Sequence, residues 1–182
     1  MKKLIKFAIA FGFSDKSLKD VINFQRKLTK FNIKFMFEDH TLPHITILSG
    51  NINYDDQIRI FNLLKKKKFK KFRIISPGLG IFANKFPNLY IRWEQNKLLI
   101  ENSKKIVNNI SHYFSKIKTS STSSLWVPKS TLAWKDLKYN QLNKIFLSNK
   151  EMFKSRTCVI DTIYLIDFTN NKEKLTYKIY LK

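Results

Sequence analysis

Hydrophobic and polar positions in this chain switch repeatedly between a period of two and a period near 3.6, and the switches lay out its elements. Residues 4–13 alternate loosely and are rich in Phe and Ile, which predicts a first strand. Ser14, Asp15 and Ser17 then offer helix N-caps, and Leu18, Val21, Ile22, Phe24, Leu28 and Phe31 fall mostly at helical spacing. An amphipathic helix over 18–31 with Lys and Arg outward is expected. Residues 33–37 read as a short strand, and a polar link containing His40 leads to a strand over 43–49 that Gly50 and Asn51 should end. A second helix is predicted over 55–66, carrying Ile58, Ile60, Phe61, Leu63 and Leu64 and finishing in Lys65, Lys66, Lys67 and Lys68. Strands follow at 72–75, 81–83 and 89–93, punctuated by Pro77-Gly78 and Pro87-Asn88 turns. Helical spacing returns over 96–114, and the Ser/Thr-rich tract 118–124 predicts a surface loop. The chain closes with a helix over 139–149, a strand over 159–168, an Asn170-Asn171 turn and a strand over 175–181. Several strands are joined by short turns, so the expected class is α+β with antiparallel sheets.

One short phrase occurs twice. Pro43-His44-Ile45-Thr46-Ile47-Leu48 and Pro128-Lys129-Ser130-Thr131-Leu132-Ala133 each open an apolar run. Side chains two apart on a strand share a face, so each copy pairs a proton-transfer group or cation with a hydroxyl: His44 with Thr46, Lys129 with Thr131. A Pro at the first position of a strand costs no ladder bond. The order strand, helix, phrase strand, helix, strands occurs twice around these copies. The expectation is one domain over 1–182 made of two interleaved lobes related by a pseudo-twofold, with His44 and Lys129 facing each other across a central cleft.

Charge changes the picture next. With 35 Lys+Arg against 13 Asp+Glu, the net charge of +22 creates a field that attracts polyanions, and it points to a nucleotide or oligonucleotide substrate and to RNA on the basic surface. The excess of Lys over Arg, with many Asn and Ile, also fits simple compositional drift. Cys158 stands alone, which excludes an internal disulfide and suits a reducing compartment. The basic, apolar opening of the chain imitates a signal peptide, yet Asp15 and Lys16 cut it short, and no stretch approaches the ~20 apolar residues of a membrane span. A soluble, cytoplasmic monomer without membrane contact is expected.

The two phrases resemble the paired His-x-Thr/Ser motifs of the 2H phosphoesterase superfamily, in the branch of 2′-5′ RNA ligase and cyclic phosphodiesterase proteins. The stretch from Gly80 to Ile91 also looks like the central hairpin of that family, and the stretch from Ile163 through Tyr177 like its final one. The resemblance implies a two-lobed α+β fold with antiparallel sheets flanking a central cleft and helices outside. It also implies metal-independent cleavage of 2′,3′-cyclic, 2′-5′-linked or cyclic oligonucleotide phosphodiesters. By the same resemblance His44 is the general base, Thr46 and Thr131 hold the phosphate, and Lys129 stands where a second histidine belongs. Lysine, with an ordinary pKa of about 10.4, donates a proton or stabilises charge unless burial lowers that value. Two readings follow: a phosphoric diester hydrolase using Lys129 as acid and phosphate clamp, or a protein that binds RNA or nucleotides without turnover.

Substrate contacts are expected from Trp126 first, then Ser130, Tyr90 and Phe82, with Trp134 and Tyr164 as further candidates for base stacking. His40 is a secondary candidate acid, and His112 is expected to face solvent. The lysine run from 65 to 71 with Arg73 is a candidate nucleic-acid stripe. With no Gly-rich phosphate loop, acidic metal cluster or Ser-His-Asp arrangement, neither a metal nor another cofactor is expected.

Overall fold

The first strand, β1 (Leu4–Phe13), lies inside the larger of two sheets. Its residues Phe7, Ile9, Phe11 and Phe13 are almost wholly buried on one face, while Ala8, Ala10 and Gly12 leave room on the other. The structure, a computed structural model, describes residues 3–39, 42–148, 154–170 and 172–182; His40, Asn149 and Asn171 lie outside them. On one side β1 pairs with β2 (His44–Asn53), which pairs in turn with β6 (Ser115–Ser120). On the other it pairs with the long β8 (Arg156–Asp167). The far edge of β8 carries β3 (Phe72–Ser76) along its first half and β9 (Lys174–Tyr180) along its second.

The smaller sheet runs β4 (Gly78–Phe82), β5 (Asn88–Arg92), β7 (Lys129–Ala133), and every strand pairing in both sheets is antiparallel. The helices interleave the lobes. Gln25 of α1 (Asp15–Leu28) donates to the carbonyl of Thr131 in the small sheet. From the second half of the chain, α4 (Lys97–Ile110) packs on β2 and β3 of the large sheet, beside α3 (Asp56–Lys65). One hydrophobic cluster joins Phe11 and Ile47 to Leu89, Ile91 and Leu132. At ~25 cal/mol per Å² of apolar area removed from water, such a core is the main term opposing chain entropy.

The structure revises four local expectations. Residues 33–37 do not form a strand: Phe35–Glu38 is a single helical turn, α2, with Met36 buried. The free N–H groups of Lys34 and Phe35 at its start both donate to Asp136 Oδ2, at 2.6 and 2.8 Å. A carboxylate a hundred residues away decides the conformation, which local periodicity cannot register. Strand β2 does not end at Gly50 but continues through Asn53, paired to β1 as Lys6 with Asn51 and Leu4 with Asn53. Gly50 serves close approach there, because an added Cβ would meet Ser115 O at 2.8 Å and Ile117 Cα at 3.2 Å. The first three residues of the expected loop 118–124 belong to β6, which pairs Ser120 with Leu48 and Thr119 with Ser49. At Pro77-Gly78 the chain passes from one sheet to the other, so β3 and β4 are not a hairpin. Gly78 adopts φ 148°, and the Ser76 hydroxyl accepts from its N–H. The last helix, α5 (Tyr139–Ser148), buries Leu142 and Ile145.

Candidate active site

The two phrase strands belong to different sheets, yet they are tied together at their motif residues. Ser130 Oγ, wholly buried, donates to the carbonyl oxygen of His44 at 2.9 Å and accepts from Trp93 Nε1 at 3.0 Å. Trp126 Nε1 donates to the carbonyl oxygen of Thr46 at 3.0 Å. Strand alternation does the rest. Because Ser130 points into the core, Lys129 and Thr131 must point the other way, and because Ile45 and Ile47 are buried, His44 and Thr46 do the same. All four side chains line one cleft of about 610 Å³ between the sheets, together with Asp39, Trp134 and Glu173.

His44 Nδ1 lies 2.8 Å from the carbonyl oxygen of Leu42. A carbonyl only accepts, so Nδ1 carries the hydrogen and the neutral ring keeps its lone pair on Nε2. Glu173 Oε2 stands 3.8 Å from the same Nδ1, with both side chains largely buried. Lys129 Nζ donates to Thr131 Oγ1 at 3.1 Å and sits 5.7 and 5.8 Å from the ring centroids of Phe82 and Tyr90, within range of a cation–π contact. Burial lowers the pKa of Lys129 from its ordinary value, and the nearby Glu173 carboxylate pulls it part of the way back. Burial pushes Glu173 up; His44 and Lys129 favour its charged form and Asp39 opposes it. The cleft therefore sets the histidine beside a carboxylate and an ammonium that act on each other's charge.

Phe82 and Trp126 line a groove of about 330 Å³ that adjoins the cleft and shares Thr46, Lys118 and Lys129 with it. Tyr90 is buried beneath Phe82, ring centroids 4.6 Å apart. Ser130 does not face the cleft, so its expected substrate contact is replaced by the strand-tying role just described. Tyr164 is buried over Gly12, where an added Cβ would meet its ring. His112 is exposed and packs on Tyr113. Sequence reasoning missed Glu173 and Asp39. Neither sits in a motif, and only the register of the final hairpin brings Glu173 to the cleft, by pairing Asp167 with Lys174. Among the described residues, no group of three or more His, Cys, Asp or Glu is placed to hold a metal ion. No helix among them is long and apolar enough to cross a membrane.

No family model and no curated protein matches the chain in sequence. Solved structures do match its shape from end to end. The apo form of Escherichia coli LigT is 10% identical with a TM-score of 0.62, covering 99% of this chain and 99% of that one. The Thermus thermophilus protein TT0787 is 12% identical with a TM-score of 0.64, covering 97% and 98%. Usb1 of Kluyveromyces marxianus is 9% identical with a TM-score of 0.51, covering 99% of each chain. The chain has the fold of the 2H phosphoesterases: mixed α+β, built on curled antiparallel sheets. LigT structures have been solved with 3′-AMP and with ATP, each at a TM-score of 0.57 to this chain.

Proposed function

We propose that the protein is a metal-independent phosphodiesterase acting on 2′,3′-cyclic, 2′-5′-linked or cyclic oligonucleotide phosphodiesters by general acid–base catalysis. The observation that carries the reading is the convergence of His44, Thr46, Lys129 and Thr131 on one cleft, with the free nitrogen of His44 fixed as Nε2. Cleavage of a phosphodiester needs one oxygen to lose a proton while another gains one. His44 Nε2 takes the proton from water as it attacks phosphorus, and Glu173 stabilises the imidazolium that forms. Lys129 Nζ gives a proton to the oxygen that leaves. The lysine's lowered pKa brings it closer to the range in which a general acid works at neutral pH. Thr131 Oγ1 accepts from Lys129, which frees its own hydrogen to donate to a phosphate oxygen, and Thr46 offers a second hydroxyl. Phe82 and Trp126 supply aromatic surface for a base beside the cleft. The nucleotides seen in LigT, on the same fold, support a nucleotide substrate. We place the enzyme in the cytoplasm as a monomer of one domain, consistent with a lone buried thiol and a hydrophobic cluster common to both lobes.

Lys129 in place of a histidine favours one second reading, a site that binds nucleotides without turning them over. A time course with 2′,3′-cyclic nucleotides, 2′-5′ oligoadenylates and cyclic dinucleotides separates the two, run on the parent protein and on Lys129→His. Product that grows through many turnovers in the parent supports the enzyme. Turnover only in Lys129→His, with tight binding by both, supports the binder.

A further inference from the structure

Just past the second motif the chain makes a tight turn at the wall of the cleft. Lys135 adopts φ 60°, and the N–H of Asp136 donates to the carbonyl oxygen of Trp134 at 2.7 Å. A hydrogen bond closed over one residue of positive φ makes a γ-turn of the rare, strained kind. The turn itself has an explanation in the fold, because it brings Asp136 to the N–H groups of Lys34 and Phe35 at the start of α2. The choice of lysine has none there. Glycine takes that φ without a clash, whereas a residue with a Cβ is strained in it. Strain kept at one residue points to a use for its side chain.

Two rings place that side chain. Lys135 Nζ stands 4.1 Å from the ring centroid of Phe35 and 5.0 Å from that of Trp134. The rings meet edge to face with centroids 6.3 Å apart, Phe35 coming from α2 and Trp134 from the residue after β7. All three residues line the cleft. Among the described residues no carboxylate stands within ion-pair distance of this ammonium. Lys129 is held in the same manner over Phe82 and Tyr90, where it serves Thr131. The cleft thus carries two cations, each set on its own pair of rings. Ring faces attract an ammonium and leave its N–H groups free to meet an anion. Fixing the side chain beforehand also removes part of the ordering cost that a loose surface lysine carries on binding.

We propose that Lys135 binds a second phosphate of the substrate, next along the chain from the phosphate held by Thr46, Lys129 and Thr131. Lys135 follows Thr131 by four residues, so their Cα atoms are at most ~14 Å apart. With the reach of a lysine side chain, that spacing suits neighbouring phosphates of one oligonucleotide. The inference rests on the reading of the cleft as a nucleotide site and narrows its substrate class. It favours 2′-5′-linked or cyclic oligonucleotides, which carry several phosphates, over a 2′,3′-cyclic mononucleotide, which carries one. The second phosphate is either the next internal linkage or a terminal phosphate, and the two are separable by experiment.

The experiment is isothermal titration calorimetry of the full chain with three 2′-5′ adenylates whose phosphorothioate linkages resist cleavage, so that binding is read apart from turnover. The ligands are a diadenylate with its single internal phosphate, the same dimer with a 5′-phosphate added, and a triadenylate with two internal phosphates. The parent should bind at least one of the two-phosphate ligands about tenfold more tightly than the plain dimer. A gain for the triadenylate alone assigns Lys135 to an internal phosphate, and a gain for the phosphorylated dimer alone to a terminal one. Lys135→Met should erase the gain and leave affinity for the plain dimer within about twofold of the parent at moderate salt, where charges beyond the contact are screened. Lys135→Gly should erase it as well, while its unfolding midpoint stays at or above that of the parent because glycine relieves the turn. Lys104→Met, at an exposed lysine of α4 outside the cleft, should keep the gain. Circular dichroism checks folding, and Lys135→Gln replaces the Met variant if that fails. A gain that survives in the Lys135 variants would overturn the proposal and pass the phosphate to Lys6 or Lys118, which also line the cleft. Equal loss in Lys104→Met would overturn it in favour of undirected charge. A parent that binds the plain dimer and gains nothing from a second phosphate would overturn it alone, whereas a parent that binds none of the three would overturn the nucleotide reading of the cleft with it.

Discussion

Ser130 Oγ donates a 2.9 Å hydrogen bond to the carbonyl oxygen of His44, joining the second motif of the chain to the first across 86 residues. The same hydroxyl receives the indole N–H of buried Trp93. This bond sets the two motif strands against each other, so that His44 and Lys129 open onto one cleft.

Ser130→Ala removes both interactions at once and leaves the Trp93 N–H and a strand carbonyl without this partner in the core. We expect a stability loss of about 1–3 kcal/mol, read from urea unfolding, and a fall in kcat larger than any rise in KM. An unchanged unfolding midpoint would show that the bond does not hold the strands.

On the proposed mechanism, Glu173 shifts the pH response of Lys129 as the acid. Its carboxylate raises the pKa of Lys129, against the larger downward effect of burial. In Glu173→Gln that upward pull is gone. The alkaline limb of kcat/KM, which reports loss of the Lys129 proton, should therefore move to lower pH than in the parent. In the parent that limb should already lie below the ordinary lysine value of about 10.4. A limb that stays in place would mean Glu173 does not sense Lys129.

The stability of the fold should also carry Glu173's signature. Burial raises its folded pKa above its unfolded value, so between the two values the folded state holds more protons than the unfolded chain. Stability then falls as pH rises through that window, the reverse of a salt-bridged carboxylate. Glu173→Gln should flatten this slope in unfolding midpoints measured upward from about pH 4.3, the ordinary glutamate value.

Asp136 caps α2 from a distance, and Phe35 and Met36 of that turn line the cleft. Asp136→Ala should cost about 0.5–2 kcal/mol of stability and raise KM as the wall loosens. Faster hydrogen exchange at Lys34 and Phe35 would report the lost cap directly.

Much of the site was legible in the sequence because it rests on strand alternation. The repeated phrase placed His44, Thr46, Lys129 and Thr131 on cleft-facing positions, and they line one cleft. That alternation also sends Ser130 to the opposite face, so the core role of Ser130 was implicit in the logic that picked out its neighbours. The helices at Asp15–Leu28 and Lys97–Ile110 follow from their apolar stripes. What stayed hidden depends on long-range contacts. Asp136 turns 35–38 into a helix, and close packing of β6 turns Gly50 from a strand end into a strand interior. Glu173 belongs to no motif, and only the final hairpin delivers it.

Phosphorus-31 NMR spectra of a 2′,3′-cyclic nucleotide and a 2′-5′ oligoadenylate, followed over time in the presence of a metal chelator for the parent protein and for His44→Ala, test metal-independent phosphodiester cleavage at this cleft most directly. Many turnovers per molecule of parent are expected, with a rate lower by about 10²–10⁴ in His44→Ala. Equal rates in the two proteins, or substrate loss that stops at one equivalent, would contradict it.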